Sequence, residues 1–352
     1  MNLLDRYIGR TVVVSVLVVL LVLMALDGTF SFLSELKELQ KGYQAPQALI
    51  YILLGMPRRA YDFMPVAVLI GSLVGMGSLA NTSELTVIRA AGVSIARLVY
   101  SAVRPIVWLV IVGLVLGQFV VPQTEQYAQS ERARLMAEGT TLSTEDGYWY
   151  REEGQYIHIQ AIQPNGVMYG VSRFAFNANN ELVSSDFSQR AIYQGDHWIL
   201  EQVEQTRIFP DHTETDTYQT LRWDTSVTPK VLSVLALTPD YLSITGLYEY
   251  ASYLKRQALE SKSYYFAFWK KVLQPLTTIV MVFIAISFVF GPLRSVTMGQ
   301  RITAGVLVGL TFHYAQQLLG HASLIYNIPP LLSALLPMLV CLAIGVVLLR
   351  RV

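Results

Sequence analysis

The chain has 352 residues, of which 53% are hydrophobic and only 14% charged, with a net charge of +1 and one cysteine. A soluble domain carries roughly 25% charged residues, so the deficit points to a membrane protein, and the near-zero net charge gives nucleic-acid binding no footing. Cys341 alone excludes an intrachain disulfide and a cysteine-based zinc site.

A hydrocarbon core of about 30 Å is crossed by roughly 20 apolar residues in helical form. Three stretches of that kind open the chain: 11–32, interrupted by Asp27; 63–80, rich in glycine (Gly71, Gly75, Gly77); and 98–121. Arg6 and Arg10 before the first raise the alternative of a cleaved signal peptide. The run is long for one, no small-x-small site follows, and further spans come after it. Residues 122–138 read as a polar helical extension of the third span. The block 123–238 then alternates as half-buried strands do, for example in Tyr148-Trp149-Tyr150, Gln155 to Ile159, Met168 to Val171, Arg190 to Tyr193 and His197 to Leu200. Pro164-Asn165-Gly166, Asn177 to Asn180 and Gly195-Asp196 mark turns. Many short strands at close spacing predict a sandwich, a jelly roll or an open barrel. Residues 239–266 read as helical, and three more apolar spans follow at 273–290, 302–319 and 331–349. The predicted fold is a membrane α-helical protein of six transmembrane helices with an inserted all-β domain. Its parts are helices one to three in 1–121, the β domain with flanking helices in 122–266, and helices four to six in 267–352.

Basic residues in short loops set orientation. Arg6, Arg10, Arg89, Arg97, Arg294, Arg301, Arg350 and Arg351 all fall on one side of a six-span chain, which is therefore read as cytoplasmic, with the β domain outside. Lys37, Lys41, Arg58, Arg59, Lys270 and Lys271 fall on the other side, against the tendency.

Residues 83–92, on the cytoplasmic side, carry the strongest local signal. Ser83 is placed to cap a short helix, Glu84 suits its first turn and Gly92 its end. Leu85 and Ile88 share a face, with Glu84 and Arg89 as the flanking charges. The plain reading is an interfacial turn; the functional one is a coupling helix, an apolar plug that seats in a groove of a cytoplasmic ATPase. A second signal is the misplaced cations: Lys37 and Lys41 after the first span, Arg132 and Arg134 after the third. Singly they read as solvated, together as a ring at the mouth of a cavity for an anionic lipid. In the β block Phe174, Phe176, Ile192, Trp198 and Phe209 are the large apolar residues expected to face inward, either as a closed core or as a trough for acyl chains. Enzyme signals are thin. His158, His197, His212, His313 and His321 lack metal-binding spacing, and no Walker A, GxGxxG or GxSxG sequence occurs. No catalytic or metal residue is assigned and no cofactor is expected on this chain.

These features resemble the lipopolysaccharide-export permeases of Gram-negative inner membranes, and among them the G-type subunit. The resemblance rests on Leu4 to Gly9, Ser83-Glu84-Leu85 with Ala91-Gly92, Ala236 to Asp240 with Leu242 to Leu247, Phe290 to Ser295, and Ile328-Pro329-Pro330. It implies six helices and a periplasmic β-jellyroll. It also implies a heterodimer with an LptF-type sister permease, two copies of a cytoplasmic LptB-type ATPase that use ATP and Mg, and an LptC-type single-span jellyroll protein that receives lipopolysaccharide. Residues 83–92 match the family's coupling helix, so Glu84 takes the ATPase-contact role. Lys37 and Arg132 fit its substrate-facing cations, whereas Ser31 and Glu38 stand where relatives often carry lysine. The alternative from another class is a non-transporting membrane scaffold or assembly factor that docks a periplasmic partner. The 83–92 segment favours the transporter, because a scaffold has no use for a plug on the ATP side.

Overall fold

In the computed structural model, residues 3–39, 43–137, 148–152, 154–162, 167–177, 181–225, 239–256, 260–292, 296–326 and 328–350 are described. They fall into two compact units.

The first unit (1–30, 56–121 and 243–352) is helical. Its principal helices are α1 (Leu3–Glu35), α3 (Met56–Asn81), α4 (Glu84–Ala90), α5 (Ile95–Val115), α7 (Ile244–Arg256), α8 (Lys262–Phe290), α9 (Met298–Ile325) and α10 (Pro330–Arg350). All six expected spans are present as helices. Five pass as membrane-spanning on length and hydropathy together. The sixth, α9, has 28 residues, enough at about 1.5 Å per residue to cross, but Arg301, His313, Gln316, Gln317 and His321 dilute its hydropathy. Arg301 is buried yet satisfied: its Nη1 donates to the Gly77 carbonyl at 2.7 Å and to Asn81 Oδ1 at 2.9 Å. A capping box of Thr297 and Gln300 starts this helix.

Burial ranks the helices. In the most apolar window of each, 72% of α3 and 61% of α8 is buried, against 17% of α1 and 28% of α10. Helices α3 and α8 are therefore the centre, packed through Leu69, Leu73, Met76, Met281, Ala285 and Ile286. Helix α1 touches this core with one narrow stripe, Ile8, Gly9, Val12 and Val16, and leaves Leu17, Leu21, Leu26 and Phe30 exposed. Prolines inside α3, α5, α8 and α10 (Pro65, Pro105, Pro275, Pro337) are tolerated, as neighbouring helices in a membrane re-satisfy the freed carbonyls. One turn of wider, π-type winding, Leu116–Val120, follows α5.

The second unit (31–55 and 122–242) holds the short apolar helix α2 (Ala45–Leu54), the polar helix α6 (Val121–Ala137, from its second residue) and the sheet. Helix α2 has no counterpart among the predicted elements, because ten residues are too few for a span. Residues 243–256, read from the sequence as a flank of the β domain, pack in the helical unit instead.

The strands are β1 (Tyr148–Glu152), β2 (Gln155–Ile162), β3 (Met168–Phe176), β4 (Leu182–Tyr193), β5 (Trp198–Ile208) and β6 (Thr213–Trp223), all antiparallel in the order β1-β2-β3-β4-β5-β6. An all-β inserted domain is thus present. Among the described residues its strands form an up-and-down meander with outer strands β1 and β6, rather than the crossed-over double sheet that defines a full jelly roll. The Gly195-Asp196 turn joins β4 to β5 as expected, with Gln194 N–H on the His197 carbonyl at 2.9 Å. The turn at 164–166 lies outside the described residues.

A crease crosses this sheet. Pairing is continuous on both sides of it but is skipped at Gln160 and Gly170, at Gln189, at Gln202 and at Gln219, which lie opposite one another on β2 to β6. Gly170 and Gln202 there have φ of +61° and +54°. The strands keep the same register across the crease, yet the buried positions change phase there by one residue. The core face therefore reads Met168 then Val171 on β3, and Trp198, Leu200 then Val203 on β5.

Candidate functional site

Helix α4 sits between α3 and α5. Ser83, expected to cap it, stands at its start with φ +63°, and its side chain makes no capping bond. The first turn is held by Glu84 instead. Its two carboxylate oxygens accept from Thr82 Oγ1 and from the Tyr7 hydroxyl of α1, each at 2.8 Å. The end follows expectation: Gly92 has φ +87°, its N–H reaches the Arg89 carbonyl at 3.0 Å, and Val93 N–H reaches Ile88 at 3.4 Å, the paired bonds of a Schellman motif. Leu85 is buried and Ile88 half-buried, both against the chain's own helical core. They anchor α4 rather than forming an outward plug, since a seven-residue helix lying on a bundle must spend its i, i+3 stripe on that bundle. The outward face is Thr86, Val87, Arg89 and Ala90, with the Arg89 guanidinium 5.9 Å from the Phe290 ring.

The cations fare differently from one another. Lys37 is exposed in a single 3-10 turn, Leu36–Glu38. Lys41 lies outside the described residues. Arg134 pairs with Glu131 one turn back on α6, at 2.6 Å. Arg132 is half-buried: its Nε donates to Glu35, and its guanidinium stacks over Tyr51 at 5.6 Å and Tyr43 at 6.0 Å. The Tyr43 hydroxyl also donates to Glu35, at 3.1 Å, and Gln129 Nε2 donates to the Tyr51 hydroxyl at 3.0 Å. Burial first, and the Glu35 charge second, push the Tyr43 phenol above its ordinary pKa. Arg132 is thus the keystone of an internal cluster that ties α2 to α6, and a simple ring of four free cations is not what the described residues form. Charge reversal separates the two roles. Lys37→Glu is expected to lower lipopolysaccharide co-purification about fivefold, the scale of one basic residue at a lipid surface, with normal protein yield. Arg132→Glu, which leaves Glu35 facing a second carboxylate, is expected to lower the yield itself.

Of the five inward candidates in the sheet, only Trp198 joins the buried core, packed with Tyr193 and Trp223. Ile192 lies one residue out of phase with Ala191 and pairs with Ile199 on the opposite face. Phe174 is out of phase with Arg173 and stacks on Trp149, Phe176 meets Tyr156 edge-on, and Phe209 lies exposed in the β5–β6 turn beside His212. The core face carries two charges that the apolar pattern did not anticipate: Arg173 pairs with Asp186, which also accepts from Gln205 at 3.0 Å. On the opposite face, beside Trp149, His158 is buried without a bond to Nε2, and desolvation drives it below its usual pKa.

Two intramembrane groupings were not anticipated. Asp27, noted only as an interruption of the first span, accepts from Arg59 Nε of α3 at 2.6 Å. An ionisable residue within a span calls for a partner, and Arg59, 32 positions along the chain, supplies it. Lys271 of α8 lies 5.6 Å from the Tyr61 ring, and Gln274 Nε2 donates to the Tyr61 carbonyl at 2.7 Å.

Comparison with known proteins bears on the whole chain. The profile of the family described as lipopolysaccharide export system permease LptF/LptG matches residues 6–351. The chain is 38% identical over 339 residues to the lipopolysaccharide export system permease protein LptG of Escherichia coli (strain K12), covering 95% of this chain and 94% of that protein. It is 33% identical over 341 residues to the protein of the same name from Haemophilus influenzae, covering 96% and 95%. With five to six long apolar helices among the described residues, an inserted β domain and a match along nearly its full length, the chain belongs to the LptF/LptG family of lipopolysaccharide export permeases.

Proposed function

We propose that this chain is the permease subunit of an ABC transporter that extracts lipopolysaccharide from the outer leaflet of the inner membrane. It passes the lipid to a periplasmic jellyroll bridge toward the outer membrane, powered by a separate cytoplasmic ATPase. The reading is carried by the full-length family match to export permeases. Its partners are an LptF-type sister permease, two LptB-type ATPase copies and an LptC-type single-span protein. Both termini are cytoplasmic and the β domain is periplasmic, as the arginine distribution favours. The apolar face that α1 leaves exposed supports a lateral opening to lipid or to a partner helix. Helix α4 meets the ATPase through Thr86, Val87 and Arg89, with Glu84 fixing its pose. Strands β1 and β6, outermost among the described residues, suit edge-to-edge extension by another β domain, because backbone pairing at an open edge needs little sequence complementarity.

A crosslinking experiment tests this. Photoreactive residues at Val203 and Trp198, on the core face, and at Ile192 and Phe174, on the opposite face, are introduced into the assembled exporter. Lipid adducts at the first pair only, dependent on ATP and all partners, are expected. No adduct at any of the four, with crosslinking at Lys37 retained, would make the domain a docking module and not a conduit.

A further inference from the structure

A cleft of about 380 Å³ opens between the N-terminal ends of α1 and α5, lined by Arg6, Arg10 and Val13 on one side and Arg104 and Trp108 on the other. The two helices touch at its floor. A Cβ on Gly9 would stand 3.1 Å from Pro105 Cγ and 3.3 Å from the Ser101 carbonyl. Arg6 and Arg10 are one turn apart on α1, and Arg104 and Trp108 one turn apart on α5, so both pairs project along the same side of their helices. The single carboxylate in the lining, Asp5, is already engaged: Ser101 Oγ donates to it at 2.7 Å and Arg97 lies at 3.8 Å. Among the described residues none of Arg6, Arg10 and Arg104 forms an ion pair, and all three are exposed. The cleft therefore holds three guanidiniums against one committed carboxylate.

Its other end is apolar. Trp108 is 71% exposed, and the same side of the helices continues through Val112 on α5 and Leu17 on α1, both exposed. A cationic mouth that runs into an exposed apolar groove matches an amphiphile with an anionic head, and a soluble anion would gain nothing from the second half. We propose that this cleft is a binding site for the phosphate group of an anionic glycerophospholipid, held by Arg6, Arg10 and Arg104 with its acyl chains along Trp108 and the groove beyond. Guanidinium suits the task, since its planar fork grips phosphate oxygens in pairs, and basic pockets between membrane helices take lipid head groups. The lipid belongs to the leaflet at the N-terminal end of α1, away from the Lys37 end. The site stands apart from the export reading, because its test reads lipid retention and needs no transport.

The test uses the full chain in nanodiscs of phosphatidylcholine with a minor fraction of phosphatidylglycerol, followed by mild delipidation and mass spectrometry of the retained lipid. Wild type is expected to retain phosphatidylglycerol over phosphatidylcholine. Arg104→Gln should lower that retention about fivefold, and replacement of all three arginines by glutamine on the order of a hundredfold. The triple arginine-to-lysine variant keeps the orienting charge and should retain an intermediate amount. Should the triple glutamine variant fail to insert, Arg104→Gln and Trp108→Ala decide, with a drop expected for each. Four results would overturn the proposal: equal retention in wild type and variants; no preference between the two lipids; displacement of the lipid by excess inorganic phosphate, which marks a soluble-anion site; or unchanged lipid with loss of a co-purifying protein, which marks a protein-docking patch.

Discussion

Glu84→Lys is expected to lower lipopolysaccharide transfer sharply while the helices stay assembled. The carboxylate does two things at once. It accepts from Tyr7 and Thr82, 2.8 Å on each side, and so ties the start of α4 to the N-terminal end of α1. It also places a negative charge at the first-turn N–H groups, where a cation is unfavourable. Lysine reverses the charge and turns an acceptor into a donor facing two hydroxyls. Leu85 stays buried in either case, so α4 remains attached but loses its fixed pose. Coupling between two sites is worth on the order of a tenfold to hundredfold change, and that is the loss expected in lipid transfer from proteoliposomes, with the basal ATPase rate of the complex retained. Glu84→Gln keeps one acceptor and should fall in between. Tyr7→Phe removes only the tether to α1, so it should cost a fraction of the Glu84→Lys loss, and that fraction measures how much of the role is internal. Normal transfer by the lysine variant would remove α4 from the coupling path.

What was legible in the sequence follows the range of each interaction. The six spans were legible because a span is a local property: about twenty apolar residues have few other destinations. Strand positions in the β domain were legible from alternation, and Gly92 as a helix end from its residue type. The partners were not. Glu84 and Tyr7 are 77 positions apart, and Arg132 and Glu35 are 97 apart, so Arg132 read as a free cation when it is the centre of an internal cluster. Inward-facing residues in the sheet are hidden from the sequence for a different reason. The crease at Gly170 and Gln202 shifts the alternation by one, and a glutamine with positive φ has no sequence signature. Counting by twos from Trp198 therefore points to the wrong residues beyond the crease. Size favours Phe174 and Ile192 as inward residues, whereas position places Arg173 and Ala191 on the core face.

Gly71→Leu is expected to remove the folded chain almost entirely. Gly71 and Gly75 lie one turn apart on α3, facing α1 with three residues between them, the spacing that lets two membrane helices approach to backbone contact. A Cβ on Gly71 would collide with Val16 Cα and stand 2.7 Å from Val16 N; on Gly75 it would stand 3.0 Å from Val12 Cα. The obstacles at Gly71 include main-chain atoms, which cannot rotate away, so the helices must part. Beyond the polar ties of Asp5, Tyr7 and Asp27, helix α1 has a thin apolar contact, with only 17% of its apolar window buried, and in lipid no hydrophobic force draws it back, because acyl chains solvate a detached helix as well as the bundle does. Overpacking of a close contact costs about 1–3 kcal/mol and more where backbone must move; a leucine at Gly71 falls in the second class and an alanine at Gly75 in the first. Gly299, with nothing within 4 Å of its would-be Cβ, is the control, and Gly299→Ala should be silent. The measurement is the monodisperse fraction and thermal midpoint of detergent-solubilised protein, and a wild-type midpoint for Gly71→Leu would mean that α1 and α3 do not pack this closely. The consequence reaches further than stability. Helix α1 carries Tyr7, which holds Glu84, at one end and leads to Lys37 at the other, so Gly75→Ala, the milder variant, is expected to weaken lipid capture and ATPase coupling together in protein that still folds.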